Sequence, residues 1–570
     1  MKNEGYSDVV IIGGVAAGPK TGAALARRMP DIKITLFQRE EYISYASCGM
    51  PYFASGDVNS FNSLTMTSYG VERSVDFFKK TKGFDVITGS EVTSIDRSTK
   101  TVTVRTIADG IVYTHGYGTL VIATGARPVR PSFPVPDHPN IRYFTSPDDA
   151  LYFKKTAQQG KLNSVVIVGG GYIGCEMAEA VRVWGFETTL IERESQVLPA
   201  TLDADIAEFV KSEMVRNGVN VITGASVTSI QTKENRLSLD VTNNGVLEAD
   251  YVILCLGVRP EASLAASCGL SIGKTGGIIV DEHMRTSDAA IYAGGDCVEL
   301  KHGVTGIGAH VPLGSLANRH GWIIAENISG KAASFSNVLG ASVIKVFGLN
   351  TGCTGITENA ARAHGIDVEY VLAAFSDKPF YYPDANDIVL KMVFAKDTRT
   401  LLGLQAAGRG DICRRVDVFS SLLRNHANIN DLLAFEHGYA PPFSEALDPL
   451  HHMGSIALAM DRGLSFINPL RAIAYFVKNE VPSGAMILDV RETVQYTANP
   501  WPEAGNPRIL HIPLNDLRDR LHELDTSKEY HILCGKGARA YQAWTILHNA
   551  GFPRAHVIAG GMTFLSGIVR

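Results

Sequence analysis

The chain has 570 residues, 45% hydrophobic and 19% charged, a length that exceeds one core and implies roughly three to five domains. A net charge of -5 argues against nucleic acid or an anionic membrane as the main partner. Eight cysteines scattered over such a length make no disulfide scaffold, so a reducing compartment is expected.

The apolar run Val9-Val10-Ile11-Ile12 stops at Gly13, too short for a secretory core, and no stretch approaches the roughly 18 apolar residues of a membrane span. A cytoplasmic location is expected. Asp8 to Ile12 has the composition of a buried parallel strand. Gly13-Gly14-Val15-Ala16-Ala17-Gly18 follows, then a small-residue helix from Pro19 to about Arg28 and a second strand, Lys33 to Phe37. This order seats a pyrophosphate on a helix N-terminus. Val15 stands where the middle glycine of G-x-G-x-x-G belongs, and Gln38 where a carboxylate would hold the ribose. A purely structural turn is the alternative.

Just after this unit, the stretch Tyr42 to Tyr52 sets Cys48 beside a flexible Gly49 and a stiff Pro51. Cys48 is a candidate redox centre, able to exchange electrons with whatever the unit binds. A buried structural thiol is the commoner fate of a free cysteine.

Two later strands, Leu120 to Ala123 ending in Thr124-Gly125 and Ala290 to Ala293 ending in Gly294-Gly295-Asp296, bring backbone towards a cofactor. Asp296 can accept from a ribityl hydroxyl. Between them Ser164 to Val168 runs into Gly169-Gly170-Gly171-Tyr172-Ile173-Gly174, a full G-x-G-x-x-G that opens a helix. The next strand ends at Glu192, 18 residues past Gly174, where a carboxylate binds both hydroxyls of an unphosphorylated ribose. That favours NADH; Arg193 beside it leaves NADPH possible at lower affinity. The candidate flavin-binding residues are Gly13, Ala16, Gly18, Gln38, Arg39, Ala123, Thr124, Gly125, Asp296 and Pro312. The candidate nicotinamide-nucleotide residues are Gly169, Gly171, Tyr172, Gly174, Glu192 and Gly257. No metal site is expected.

With these motifs in place, the chain resembles a pyridine nucleotide–disulfide oxidoreductase of the single-cysteine group, and within it the coenzyme A-disulfide and persulfide reductases. The resemblance rests on Ser44-Tyr45-Ala46-Ser47-Cys48-Gly49-Met50-Pro51-Tyr52, on Tyr381-Tyr382-Pro383, and on Tyr439-Ala440-Pro441-Pro442-Phe443 with Asp448-Pro449. It spans residues 7 to about 458. Ser47 replaces the family's usual Asn, and Gln38 its usual Glu. The next cysteine after Cys48 is Cys175, so no C-x4-C pair is available. Cys48 would therefore cycle as a mixed disulfide or persulfide, or with oxygen as a sulfenic acid. An electropositive, partly exposed site would lower its pKa from about 8.5.

The resemblance further implies FAD, NADH and coenzyme A, and a homodimer in which Tyr439 and one of Tyr381 or Tyr382 reach the partner's active-site cysteine. Packing aromatics are the alternative, and His437 is a weaker acid candidate. Arg27, Lys82 and Ser44 fall on matching coenzyme A positions, with Ser47 beside the substrate. In the dimerisation region Ile388 to Phe394 reads as a strand and Asp417 to Asn425 as a helix.

From a linker near Gly463 the last 105 or so residues resemble a rhodanese, through Asp489-Val490-Arg491 and Cys534-Gly535-Lys536-Gly537-Ala538-Arg539. Backbone N–H groups converging there would form an anion nest for a Cys534 persulfide. Four residues separate Cys534 from Arg539, one fewer than in a phosphate-wrapping Cys-x5-Arg loop.

The expected fold class is α/β: two Rossmann-like dinucleotide-binding domains, one inserted in the other, an α+β dimerisation domain and a C-terminal α/β rhodanese domain. The expected boundaries are 1–149 with 258–330 for FAD, 150–257 for NAD(H), 331–455 for dimerisation and 466–570 for the rhodanese. The fusion implies reduction of a persulfide, polysulfide or CoA disulfide, with Cys534 as sulfur carrier and Arg539 beside it. An NADH oxidase or peroxidase, or a flavin-based redox sensor, is the alternative.

Overall fold

A computed structural model describes residues 3–234, 236–477, 481–499 and 508–569. They fall into two compact units, Met1–Arg193 with Ala225–Val338, and Glu194–Gly224 with Leu339–Arg570. None of the described helices is long and apolar enough to cross a membrane.

In the first unit the strand Asn3–Ile12 runs parallel to Ile34–Phe37 on one side and to Val112–Ile122 on the other. Ile291–Ala293 adds a further parallel strand beside Leu120–Ile122. Val9 to Ile12 are buried on both faces, which is why that run is apolar without alternation. The helix Ala17–Arg28 starts before the expected Pro19, whose missing N–H costs nothing in a first turn. Its small residues let it lie against the helix Gly314–Ile328.

A second parallel sheet in this unit runs Glu187–Glu192, Ser164–Val168, Tyr251–Leu254, Ile141–Arg142. Its helix, Tyr172–Val183, leaves directly from the Gly169–Gly171 turn. This sheet is inserted in sequence between the strands Val112–Ile122 and Ile291–Ala293.

The second unit holds an antiparallel sheet in the order Ser342–Val346, Leu349–Gly355, Leu401–Gly408, Asp387–Ala395, Val368–Ser376. The helix beside it, Cys413–Arg424, begins earlier than the expected Asp417. The inner strand Asp387–Ala395 carries Lys391, 2% exposed, with Nζ 2.9 Å from Asp205, 2.9 Å from Glu358 and 3.2 Å from Asp203. So dense a set of buried charges persists because each has an opposite partner. The C-terminal segment forms a parallel sheet, Phe466–Ile467, Ala555–Ile558, Glu529–Leu533, Ala485–Asp489, Ile509–His511.

Candidate active site

The two glycine turns share one construction. Gly13 has φ +109, and a Cβ there would lie 2.1 Å from the Ala123 carbonyl; one on Gly18 would lie 1.9 Å from the Gly13 carbonyl. Gly169 repeats this at φ +110, 2.1 Å from the Cys255 carbonyl, and Gly174 at 1.9 Å from the Gly169 carbonyl. Only glycine fits these positions. At Gly171 a Cβ would meet nothing within 4 Å, so the protein itself tolerates Val15 at the matching place in the first turn.

Each turn is also closed by the residue after its second strand. Gly14 donates its N–H to Gln38 Oε1 at 2.7 Å, and Gly170 donates to Glu192 Oε2 at 2.6 Å. Gln38 donates in turn to the Tyr42 carbonyl at 3.3 Å, so its amide is spent on the protein. Ala16 caps the first helix and Arg39 lies exposed after the strand. Thr124 donates its hydroxyl to the Glu261 carbonyl at 2.5 Å, and Gly125 turns with φ +74. Pro312 is exposed just before Gly314–Ile328, and Gly257 turns with φ +90 after Tyr251–Leu254. Burial pushes the Asp296 carboxyl up, with His310 opposing, and no side chain among the described residues bonds it. A helix N-terminus behind a turn only glycine can make, with a free carboxylate across from it, fits a flavin dinucleotide.

The Gly294-Gly295-Asp296 turn rests on a residue with no sequence signature. His320 Nδ1 accepts the Gly295 N–H at 3.1 Å, while its buried Nε2 has no partner. Burial, reinforced by Arg319, drops its pKa to about 4.

Cys48 is exposed, in a tight turn, Ser47–Gly49, that runs into the helix Met50–Ser55. Ser44, with φ +50, donates its N–H to the Gly14 carbonyl at 2.8 Å, which ties the cysteine loop to the first turn. Arg73 holds the loop from the other side, donating to the Ser44 carbonyl at 2.5 Å and to the Met66 carbonyl at 3.2 Å. The helix after Cys48 is braced by the inserted segment. Tyr52 donates to Glu176 Oε1 at 3.2 Å, Trp184 Nε1 to the Ala54 carbonyl at 2.8 Å, and Lys154 Nζ to the Val58 carbonyl at 3.1 Å. Lys154 also lies 4.0 Å over the Phe53 ring.

The electrostatics at Cys48 differ from the expectation of an electropositive site. Although solvent reaches the thiol, the protein packed around it strips part of its hydration, and that desolvation, with the Glu176 and Asp296 carboxylates, pushes the Cys48 thiol up, while a hydrogen bond with Ser47 offsets part of it. Among the described residues the charged groups that weigh most on it are carboxylates, Glu176 and Asp296. Burial, with Glu179 nearby, raises Glu176 itself to about 7 against the opposing Tyr52 bond. Sequence reasoning missed Glu176, Tyr52, Trp184, Lys154, Arg73 and His320 as site residues.

Arg27 and Lys82 come from two packed elements, the helix Ala17–Arg28 and the turn Phe78–Lys82. Neither has an acidic partner among the described residues, whereas Lys79 pairs with Asp85 and Lys80 with Asp76. Lys82 Nζ lies 5.0 Å over the Phe77 ring.

In the second unit Tyr439 is 53% exposed and Tyr381 64%, with Phe380 and Phe443 exposed beside them in sequence. Tyr382 is half-buried, with Lys378 over its ring. His437 Nε2 is 3.1 Å from the Glu445 carbonyl, which closes the Tyr439 loop and gives that imidazole a positioning task.

Cys534 is buried at the start of the loop between Glu529–Leu533 and the helix Ala538–Asn549. Gly537, at φ +126, donates its N–H to Cys534 Sγ at 3.1 Å. Arg539 arches over the loop, its guanidinium 3.3 Å from where a Gly535 Cβ would sit. Lys536 is anchored to Asp387 at 2.5 Å and to Ser376 at 2.6 Å. Asp489 and Arg491 form a buried pair at 2.6 Å, which explains that motif by structure.

Two dinucleotide turns in one unit, with an exposed thiol on a helix braced by the second, define a nucleotide-dependent thiol oxidoreductase. The chain belongs to the pyridine nucleotide-disulphide oxidoreductase family, which it matches over residues 7–315, with the family's dimerisation domain at 341–451 and a rhodanese-like domain at 475–564. It is 35% identical to the NAD(P)H sulfur oxidoreductase (CoA-dependent) of Pyrococcus abyssi over 442 residues, 78% of this chain and 96% of that one. Among solved structures it superposes on a NAD-dependent persulfide reductase from A. fulgidus with TM-score 0.92 at 36% identity, covering 98% of this chain and 99% of that one. It superposes on the reduced Bacillus anthracis CoADR-RHD with TM-score 0.88 at 31% identity, covering 100% and 99%. The expected fold class is borne out, and the family implies FAD and NAD(P)H.

Proposed function

We propose that the protein is an NADH-dependent reductase of sulfane-sulfur substrates (CoA persulfide, polysulfide or CoA disulfide), with Cys48 as its single redox cysteine and Cys534 as sulfur carrier. The observation that carries this reading is the exposed Cys48 thiol on a helix braced by the second nucleotide segment, in a chain whose eight cysteines are all free. A lone thiol there must take its partner sulfur from outside. The P. abyssi relative is named CoA-dependent and the A. fulgidus one a persulfide reductase, which supports the same substrate class.

In this reading residues 1–149 and 258–330 bind FAD and 150–257 bind NAD(H). Residues 331–455 carry the dimer contact and 466–570 the sulfur carrier. Bound FAD relays an electron pair from NADH to sulfur. Glu192, the carboxylate at the end of the second strand of this unit, is placed for the hydroxyls of an unphosphorylated ribose, which favours NADH. Arg27 and Lys82, with no acidic partner among the described residues, receive coenzyme A phosphates beside Ser44 and Ser47. Tyr439 and Tyr381, exposed on the single chain, meet the partner subunit's redox cysteine and hydrogen-bond or protonate the thiolate that leaves it. Arg539 and the Gly537 N–H steady the persulfide anion on Cys534.

The test is anaerobic, NADH-dependent release of sulfide or thiol from CoA persulfide, polysulfide and CoA disulfide. Wild-type enzyme releases product; Cys48→Ser does not; Cys534→Ser retains CoA-disulfide reduction and loses thiosulfate:cyanide transfer. Release at the wild-type rate by Cys48→Ser sinks the reading, as does oxygen consumption as fast as sulfide release in air.

A further inference from the structure

The Cys534 loop is tied to the point where the Tyr381 hairpin begins. The strands Val368–Ser376 and Asp387–Ala395 are antiparallel, and Ser376 and Asp387 form the last pair before residues 377–386 turn back, with Tyr381 exposed on the turn. Lys536, two residues after Cys534, takes hold of that pair. Its Nζ lies 2.5 Å from the Asp387 carboxylate and donates to Ser376 Oγ at 2.6 Å. Its carbonyl accepts the Ala374 N–H at 3.4 Å. Thr563 bridges the same two places, donating its N–H to the Gly535 carbonyl at 2.9 Å and its hydroxyl to Asp387 at 3.1 Å. The turn is closed across its base by buried Asp377, which accepts the N–H groups of Asn386 at 2.9 Å and Asp411 at 3.1 Å. The Asp377 carbonyl also accepts from Arg415 at 2.8 Å. A turn rooted so firmly follows its stem, so a displacement of Ser376 and Asp387 moves Tyr381. Lys536 is the only ionisable side chain between Cys534 and Arg539, and it is spent on the hairpin rather than on the sulfur.

We propose that Lys536 is a positioning residue for the reduction: through Ser376 and Asp387 it makes the Cys534 loop and the Tyr381 turn move as one body. This rests on the reductase reading above, in which Tyr381 meets the partner subunit's redox cysteine. Lys536 acts on that step through Tyr381. Its side chain is 37% exposed and that of Asp387 44%, and an ion pair so open to solvent adds little to folding stability. Its use lies in geometry instead, because a reacting group misplaced by ~1 Å costs up to about a hundredfold in rate. The sulfur on Cys534 is left to Arg539 and the Gly537 N–H, which need no help from the lysine.

Two measurements on the FAD-loaded full chain decide it, in Lys536→Ala, Lys536→Arg and Asp387→Asn. Amide hydrogen exchange over residues 377–386, read by mass spectrometry, speeds up about fivefold or more in Lys536→Ala and Asp387→Asn and matches wild type in Lys536→Arg. The kcat for NADH-dependent reduction of CoA disulfide, which in this reading does not pass through Cys534, falls about fivefold or more in Lys536→Ala. KM for NADH is unchanged, and Lys536→Arg restores the rate. Added to Tyr381→Phe, Lys536→Ala costs nothing further, because both act on one group. Equal exchange over residues 377–386 in wild type and Lys536→Ala overturns the proposal. So does a Lys536→Ala loss as large in the Tyr381→Phe background as in wild type. Should Lys536→Ala misfold, Asp387→Asn breaks the same pair from the other side and carries both readouts. Wild-type enzyme that reduces no sulfur substrate removes the reductase reading instead, and the exchange profiles then decide the grip of Lys536 alone.

Discussion

Gln38 accepts the Gly14 N–H at 2.7 Å through a neutral amide, where Glu192 does the same for Gly170 at 2.6 Å through a carboxylate. The acidic residue expected after a second strand is therefore as much a brace for the glycine turn as a ribose ligand. Gln38→Ala removes the brace and leaves a buried N–H unpaired, which costs about 1 kcal/mol, roughly fivefold in FAD affinity. Gln38→Glu keeps the bond and retains FAD at least as tightly. Flavin fluorescence after serial dilution reads both.

Arg27 and Lys82 come from packed elements and have no acidic partner among the described residues, so their charge is available to a polyanion. Reversing both, Arg27→Glu with Lys82→Glu, raises KM for coenzyme A substrates at least tenfold. Inorganic polysulfide, which carries no phosphates, shows little change. An equal rise for both substrates removes these cations from coenzyme A binding.

His320 makes flavoprotein stability pH-dependent through the turn it holds. Protonation would force Nδ1 to give up the Gly295 N–H, so burial lowers the folded pKa to about 4. The unfolded chain protonates near 6.5. Its contribution is complete above about pH 6.5 and is lost as pH falls towards 4, about 3 kcal/mol in all. Urea denaturation between pH 7 and 4.5, compared with His320→Asn, shows the steeper loss in wild type if this holds.

Lys391 anchors Asp203, Asp205 and Glu358 inside the second unit. Lys391→Met leaves Asp203 and Asp205 without their counter-charge, while Glu358 keeps Arg362 at 3.0 Å, and destabilises by about 3–5 kcal/mol. Lys391→Met with Asp203→Asn and Asp205→Asn recovers part of that. Denaturation followed by far-UV circular dichroism checks the order.

The parts legible in the sequence are those fixed over short distances. Gly13 and Gly18, or Gly169 and Gly174, are demanded by backbone a few residues away, and the strands that flank them are apolar throughout because both faces are covered. Cys534 and Arg539 likewise belong to one loop. The residues that brace Cys48 left no such mark: Tyr52 meets Glu176 across 124 positions, and Trp184 meets Ala54 across 130. Neither side of such a pair constrains its own neighbours in the chain. The electrostatic tone of the site leaves no local mark either, since desolvation and carboxylates distant in sequence, Glu176 and Asp296, raise the Cys48 thiol.

Trp184 gives the molecule a built-in optical gauge. Its indole N–H rests on the Ala54 carbonyl at the far end of the helix that begins beside Cys48. Indole emission shifts with the strength of that bond and with the dipole of the helix it caps. A change at Cys48 that moves this helix therefore reaches Trp184 through that bond, and a variant keeping Trp184 alone of the four tryptophans would report it as a shift in emission.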